Sequence, residues 1–276
     1  VAFNQAIDNM IARLDAGMSE YEMEKTLHDL LATKVSYVST ANAHNAYGAL
    51  VEGLAVCEGY AEALQCLLQR VGIQSIQVYG ESKGENHAWN MVLIDGAYYL
   101  VDLTWNDQKT VLLHAYFNQT TKIMEEDHEE WIIGQDSNNM ILTCEVFDLP
   151  VCTATAANYF TKEGARIKNY TAESIGKLLK ENGLSVHVFV DSDPKAFIEW
   201  FNANHLAIAT AAGVSGNFTY GHTAIGREVR IFLDTCKHED LTQVAAKSAT
   251  CDADGNIAYL ICKDCQKTFQ TERDAS

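Results

Sequence analysis

Apolar positions step by three and four in three stretches of the first seventy residues and then give way to continuous runs. Phe3, Ala6, Ile7, Met10, Ile11 and Leu14 predict a helix that stops at Gly17. Ser19 with Glu22 has capping-box spacing and opens a second helix burying Met23, Leu27, Leu30 and Leu31. Residues 35–53 show no period, and His44 among them reads as a polar loop residue. From Cys57, the positions Tyr60, Ala61, Leu64, Leu67, Leu68 and Val71 trace one buried face of a third helix, with Gly72 as its stop. Residues 73–79 predict a strand and 80–85 an exposed loop. Residues 86–94 and 97–105 are strand-like runs around Asp95-Gly96, a strong two-residue hairpin signal. Asp127-His128 falls on a predicted polar helix, as a solvated face or a helix-end contact.

The pattern changes near residue 156. Asn158-Tyr159-Phe160 suggests a short strand, and Ile175, Leu178 and Leu179 mark a helix ending at Asn182-Gly183. Leu184, Val186, Val188 and Val190 alternate as a strand, and Asp193-Pro194 opens a helix through Phe197, Ile198 and Phe201. Further strands are predicted at 206–211 and 229–233. Gly213-Val214-Ser215-Gly216 lacks the strand and helix context of a phosphate loop, and His187, His205 and His222 have no partners in sequence. The last forty residues hold Cys236-Lys237-His238, Cys251 and Cys262-Lys263-Asp264-Cys265, with a turn at Asp252-Ala253-Asp254-Gly255-Asn256 between short strands. The expectation is an α+β chain in three parts. Residues 1–155 pack helices on an antiparallel sheet, 156–235 form a small α/β domain, and 236–276 a β-rich tail.

Composition narrows the possibilities. A chain of 276 residues with 47% hydrophobic content can bury a substantial core. With 20 Lys and Arg against 37 Asp and Glu, a net charge of −17 argues against binding a phosphate backbone, which needs clustered cations. No apolar run approaches the length of a membrane-spanning helix. The chain starts at Val1 in helix-like sequence without a signal-peptide pattern, as expected of a mature or trimmed fragment. Of the eight cysteines, at 57, 66, 144, 152, 236, 251, 262 and 265, half lie in the last fifth of the chain. That distribution predicts a local framework there and leaves the redox compartment open.

Cys57 is the candidate nucleophile. In the first turn of a helix it meets the positive end of the helix dipole, which favours the thiolate. Across an Asp95-Gly96 turn, Ile94 faces Ala97 and His87 faces Thr104, so Asp102 lies diagonally from His87 on one sheet face. A one-residue change in turn length would separate them. An imidazole can take the thiol proton while a carboxylate fixes its tautomer, which makes Cys57, His87 and Asp102 a candidate triad. Trp89 and Trp105 flank it, either as walls of a groove or as core aromatics.

Tyr47-Gly48-Ala49-Leu50 through Val56-Cys57-Glu58-Gly59-Tyr60-Ala61, then His87-Ala88-Trp89-Asn90, then Asp102-Leu103-Thr104-Trp105, resembles the bacterial transglutaminase-like family of the papain-like cysteine-enzyme superfamily. The likeness covers roughly residues 40–130, with the three motifs in the family's order. It implies a papain-like core, with Cys57 as nucleophile, His87 as general base and Asp102 as orienting acid. Asn106 stands where many relatives carry aspartate, and Val51 offers no side-chain donor for an oxyanion. The backbone N–H of Cys57 is the expected donor, its side-chain helper unassigned.

The tail resembles a short Cys/His repeat of bacterial surface proteins. There His238, Cys251, Cys262 and Cys265 would be the constant set and Cys236 an accessory. Four of these five could hold a structural Zn²⁺, since a CxxC knuckle puts two sulfurs on one ion. One or two disulfides are the alternative if the protein is secreted. The expected function is cysteine-dependent acyl transfer through a thioester, on peptide or glutamine amide bonds of a protein or peptide. Water as acceptor gives a peptidase or deamidase; an amine gives a transglutaminase. No cofactor is expected for catalysis. The competing expectation is a non-catalytic extracellular binding or adhesion protein that keeps the fold. Secretion or cell-surface display follows from the resemblance alone.

Overall fold

The computed structural model describes residues 1–108, 111–133, 149–237, 239–246, 259–264 and 268–270, with backbone alone at 130–133 and 268–270. Two compact units emerge. One comprises Val1–Lys168, His187–Pro194 and Ala224–Val229, and the other Asn169–Val186, Lys195–Thr223 and Arg230–Ser276. The first runs past the expected boundary at 155. Phe160 is fully buried, and the Asn158 side chain donates to the carbonyls of Phe117 and Asn118, so this stretch belongs to the first core.

The first unit opens with helices α1 (Ala2–Ile11) and α2 (Glu20–Lys34). Ser19 and Glu22 close the predicted capping box reciprocally at the start of α2. Strand β1 (Ser36–Tyr37) pairs in parallel with β2 (Leu54–Ala55), and a π-helical turn at Gly48–Glu52 fills the loop between them. Helix α3 (Cys57–Arg70) starts two residues after β2. An antiparallel sheet follows: β3 (Ser75–Ser82), β4 (Glu85–Ile94) and β5 (Ala97–Val101). The chain continues through α4 (Leu103–Asn106), the β6 (Asp107–Gln108) and β7 (Val111–Leu112) pair, α5 (Thr121–Met124) and β8 (His128–Ile133), giving the sheet order β5-β4-β3-β8.

Apolar burial on both sheet faces holds this arrangement. Tyr60, Leu64, Leu67 and Leu68 of α3 pack with Leu27 and Leu31 of α2 and with Val92, Ile94, Tyr99 and Val101 of the sheet. The opposite face buries Val78, Trp89, Met91 and Leu100 with Tyr116, Met124 and Cys152. Each of these large side chains contributes about 1.5–3 kcal/mol on leaving water. Asp95 and Gly96 both have positive φ, 48° and 77°, as the predicted type I′ hairpin requires, and Ile94 pairs with Ala97.

Several expectations need correction. Residues 80–85 are not a loop. β3 extends to Ser82, β4 begins at Glu85, and Lys83-Gly84, with φ of 54° and 79°, makes the turn. The polar composition there misleads because β8 pairs alongside, Ser82 opposite His128, and satisfies the backbone. The run 97–105 stops as strand at Val101 and turns into α4. His128 lies on no polar helix; it is the first residue of β8 and is buried.

The first unit continues with α6 (Tyr159–Lys162), a helical turn where a strand was expected, and β9 (Arg166–Ile167). Next are α7 (Ala172–Glu181), β10 (Ser185–Val190), α8 (Pro194–Ala211), β11 (Thr219–Ile225) and β12 (Glu228–Asp234), with strand order β11-β12-β10-β9. The expected strand at 206–211 is the last part of α8. There Ile208 and Ala209 are buried while Leu206 faces solvent, a helical alternation that a short apolar run does not reveal. Gly176 of α7 lies so close to α8 that a Cβ would stand 2.5 Å from Cβ of Ala211. In the tail, β13 (Leu241–Val244), β14 (Tyr259–Cys262) and β15 (Thr268–Gln270) form an antiparallel sheet in that order. Among the described residues, no helix is long and apolar enough to cross a membrane.

Candidate active site

Cys57 begins α3 because the chain before it is pinned. The Val56 N–H donates to the Ala43 carbonyl at 2.9 Å, and Gly59 lets the helix approach so closely that a Cβ would stand 2.2 Å from the same oxygen. Val56, the N-cap, supplies no side-chain oxygen to the first amides of α3. Cys57 is partly exposed and forms no disulfide.

His87 comes from β4 and Asp102 from the end of β5. Nε2 of His87 lies 2.7 Å from Oδ2 of Asp102. Asp102 reaches it differently from the expectation. It is the N-cap of α4, its Oδ1 taking the Trp105 N–H at 3.1 Å, where the sequence suggested a residue inside a strand. The Cys57 side chain lies near enough to the same imidazole to favour its charged form. With Nε2 occupied by Asp102, Nδ1 remains for the thiol, so the three predicted residues come together with the base in the middle. Burial works against charge on His87, but the Asp102 carboxylate, its hydrogen bond and the nearby Cys57 side chain favour its protonated form. Burial likewise opposes the Asp102 carboxylate, yet His87 and His128 hold its pKa well below the usual range.

Two residues here had no role in the sequence reading. Nε2 of His128 lies 3.1 Å from the same Oδ2 of Asp102, and its Nδ1 lies 2.7 Å from Oδ1 of Asp127. Its sequence neighbourhood, Glu125 to Glu130, is polar and hides the burial. Tyr37, on β1, is held by pairing with Ala55 two residues before Cys57, which brings its hydroxyl near the Cys57 backbone N–H. Burial first, then the charge of Cys57, raises the Tyr37 pKa.

A cleft of about 860 Å³ opens beside His87, lined by Tyr37, Glu85, Asn86, Trp105 and Gln108 among others. The two tryptophans divide the readings offered for them. Trp89 is 1% exposed and belongs to the core, while Trp105 walls the cleft with the Lys83 ammonium 3.9 Å above its ring. His44 is exposed and pairs with Glu58, as a loop residue would.

A second polar cluster lies behind the site. Nδ1 of His28 and Nε2 of His114 approach the same Asp29 Oδ1, at 2.8 and 2.9 Å. Asn106 Oδ1 accepts from the Tyr116 N–H at 2.9 Å, so its Nδ2 is the group 3.0 Å from Nε2 of His28. That nitrogen is therefore an acceptor, and His28 donates from Nδ1 to Asp29. A cation on Nδ1 would force a proton onto Nε2, against the Asn106 N–H. The set suits a hydrogen-bonded brace between α2 and α4 better than a metal. Burial depresses the His28 pKa to about 4, keeping the ring neutral.

Of the candidate metal ligands in the tail, His238, Cys251 and Cys265 lie outside the described residues. Cys236 and Cys262 are described, with their sulfurs 3.5 Å apart. They lie close to the Asp264 carboxylate.

Residues 8–103 match the sequence model of the Transglutaminase-like superfamily. Kyphoscoliosis peptidase of Mus musculus is 36% identical over 61 residues, covering 18% of this chain and 9% of that protein. The Homo sapiens kyphoscoliosis peptidase matches to the same extent, so this chain spans 9% of the length of these curated relatives. Among solved structures, a TGase crystal structure is similar over 37% of this chain and 30% of its own, at 18% identity and a TM-score of 0.33. A candidate cysteine protease from Cytophaga hutchinsonii is similar over 37% and 36%, at 18% identity and a TM-score of 0.32. The stretch that matches the Transglutaminase-like superfamily, residues 8–103, thus includes Cys57, His87 and Asp102 and lies in a chain of mixed helix and sheet.

Proposed function

We propose that this chain performs cysteine-dependent acyl transfer on a peptide or carboxamide bond of a protein or peptide. The observation that carries the reading is His87 held between Cys57 and Asp102 at the head of α3. The Cys57 thiolate attacks the carbonyl carbon while His87 holds the proton taken from sulfur. The resulting oxyanion takes the Cys57 backbone N–H, and the nearby Tyr37 hydroxyl turns its own O–H to the same oxygen. Collapse breaks the C–N bond, and His87 protonates the departing amine. The thioester then passes to water or to an amine that His87 deprotonates, and the thiolate leaves. The polar lining beside His87, with Glu85, Asn86 and Gln108, supports water as acceptor and thus a peptidase or deamidase. An amine acceptor would make it a transglutaminase.

The deciding experiment is alkylation of Cys57 by iodoacetamide against pH, read by peptide mass spectrometry, with Cys66 and Cys152 as internal standards. Burial raises the pKa of both, that of Cys152 to about 11. Labelling of Cys57 that is fast below pH 7 and lost in His87→Ala supports the enzyme. Labelling no faster than at the standards points instead to a binding protein that retains the fold.

For the tail we propose a structural Zn²⁺ held by Cys236, Cys262 and two of His238, Cys251 and Cys265. Two thiolates on one tetrahedral zinc stand about 3.8 Å apart, close to the 3.5 Å between Cys236 and Cys262. Metal analysis of the purified chain should give one zinc per molecule, lost in Cys262→Ser; no metal and blocked thiols would mean disulfides. Secretion or surface display is proposed with it, and fractionation of the producing cells tests it.

A further inference from the structure

His128 is placed where a neutral imidazole does not fit. Its Nε2 faces Oδ2 of Asp102 at 3.1 Å and its Nδ1 faces Oδ1 of Asp127 at 2.7 Å. Both partners are carboxylate oxygens with other donors already in place. Asp102 takes His87 on Oδ2 and the Trp105 N–H on Oδ1, while Asp127 takes the Tyr116 hydroxyl on Oδ2 at 2.6 Å. Ionised carboxylates only accept, and a neutral ring would aim a lone pair at one of them. The His128 side chain is fully buried, where such a mismatch costs most. With a proton on each nitrogen the ring donates to both carboxylates, and its charge is balanced by theirs.

The clamp has rigid supports. Ser82 of β3 donates to the Asp127 carbonyl at 2.7 Å, and β8 pairs Ser82 with His128. Trp89, Trp105, Tyr116 and His87 all set their rings within 6 Å of the His128 ring. Among the described residues, titratable groups facing it are Asp102 at the start of α4, Asp127 before β8, His87 of β4 and Tyr116.

Resting on the acyl-transfer reading, we infer that His128 is a doubly protonated positioning residue that fixes the Asp102 carboxylate and offsets its charge. It thereby tempers the hold of Asp102 on the His87 proton. Asp102 alone, dry and charged, would bind the His87 imidazolium so tightly that it gave up its proton poorly to a leaving amine. A second cation on the same oxygen shares that attraction. Although burial disfavours a charged His128, its hydrogen bonds to Asp102 and Asp127 raise its pKa.

The test has two arms on the full chain. Nitrogen-15 spectra of histidine-labelled protein at pH 7.5 should show His128 with two protonated ring nitrogens. In His128→Gln, which keeps one donor toward Asp102 but carries no charge, the acid limb of Cys57 alkylation should move up by about one pH unit. Asp127→Asn/His128→Gln, which removes both charges of the outer pair, should shift it less and covers the case in which the single variant folds poorly. A neutral His128 at pH 7.5, or an acid limb that stays in place in a folded His128→Gln, overturns the inference. Failure of the acyl-transfer reading shows separately, as a wild-type Cys57 that labels no faster than Cys66.

Discussion

Asp102 accepts three hydrogen bonds, from His87, His128 and the Trp105 N–H, and at residue scale this defines the site. Substitutions at Cys57, Asp102 and Tyr37 should each have a distinct signature. Cys57→Ala abolishes turnover of a fluorogenic peptide while leaving the thermal transition in place. Asp102→Ala is expected to cost about 10²–10⁴-fold in kcat by freeing the His87 tautomer, and also to destabilise the fold, since two buried imidazoles lose their partner. Tyr37→Phe removes the hydroxyl beside the Cys57 N–H, and kcat should fall about 10²-fold with KM little changed. An unchanged kcat would exclude Tyr37 from the oxyanion site. Asn106 fills a role that an aspartate could not. Its amide nitrogen donates to His28, a bond a carboxylate could not supply.

At the scale of elements, two helices carry testable strain and charge. Gly59→Ala in α3 places a methyl against the Ala43 carbonyl. The helix must retreat, at a cost of about 1–3 kcal/mol in urea denaturation, and Cys57 alkylation should slow with it. Glu24 of α2 is fully buried, its Oε2 taking the Asn118 amide at 2.7 Å. Burial pushes its pKa up to about 8 against that hydrogen bond. The folded chain thus keeps a proton that the unfolded chain releases near pH 4.3. The stability this gives is complete below about 4.3 and is lost as pH rises through 8. Glu24→Gln should therefore raise the melting temperature relative to wild type at pH 9 and leave little difference at pH 4. An equal effect at both would mean the carboxyl is ionised throughout.

At the scale of the whole molecule, the net charge of −17 meets few counter-charges, and a modest gain in stability with added salt is expected. The tail makes a sharper prediction. If the proposed zinc is the staple of this short segment, chelation should expose its thiols while α3 and the main sheet keep their transition. Loss of the entire fold on chelation would contradict a metal confined to the tail. The two compact units are not continuous in sequence, because 187–194 and 224–229 return to the first unit.

The sequence alone determined what local periodicity and turn chemistry can encode. It contained the capping box at Ser19, the α3 face from Tyr60 to Leu68, the Asp95-Gly96 hairpin and hence the residues of the Cys57, His87 and Asp102 site. Such features depend on neighbours a few residues apart, and propensity reads them directly. What only the tertiary structure decided were contacts between distant segments. The pairing of β8 with β3 turned a polar stretch into strand and buried His128 against Asp102, 26 residues away in sequence. The parallel pairing of β1 with β2 brought Tyr37 to the Cys57 amide. Polar residues buried as mutual partners carry no hydrophobic signature, because each is made tolerable by a group that the local sequence does not contain.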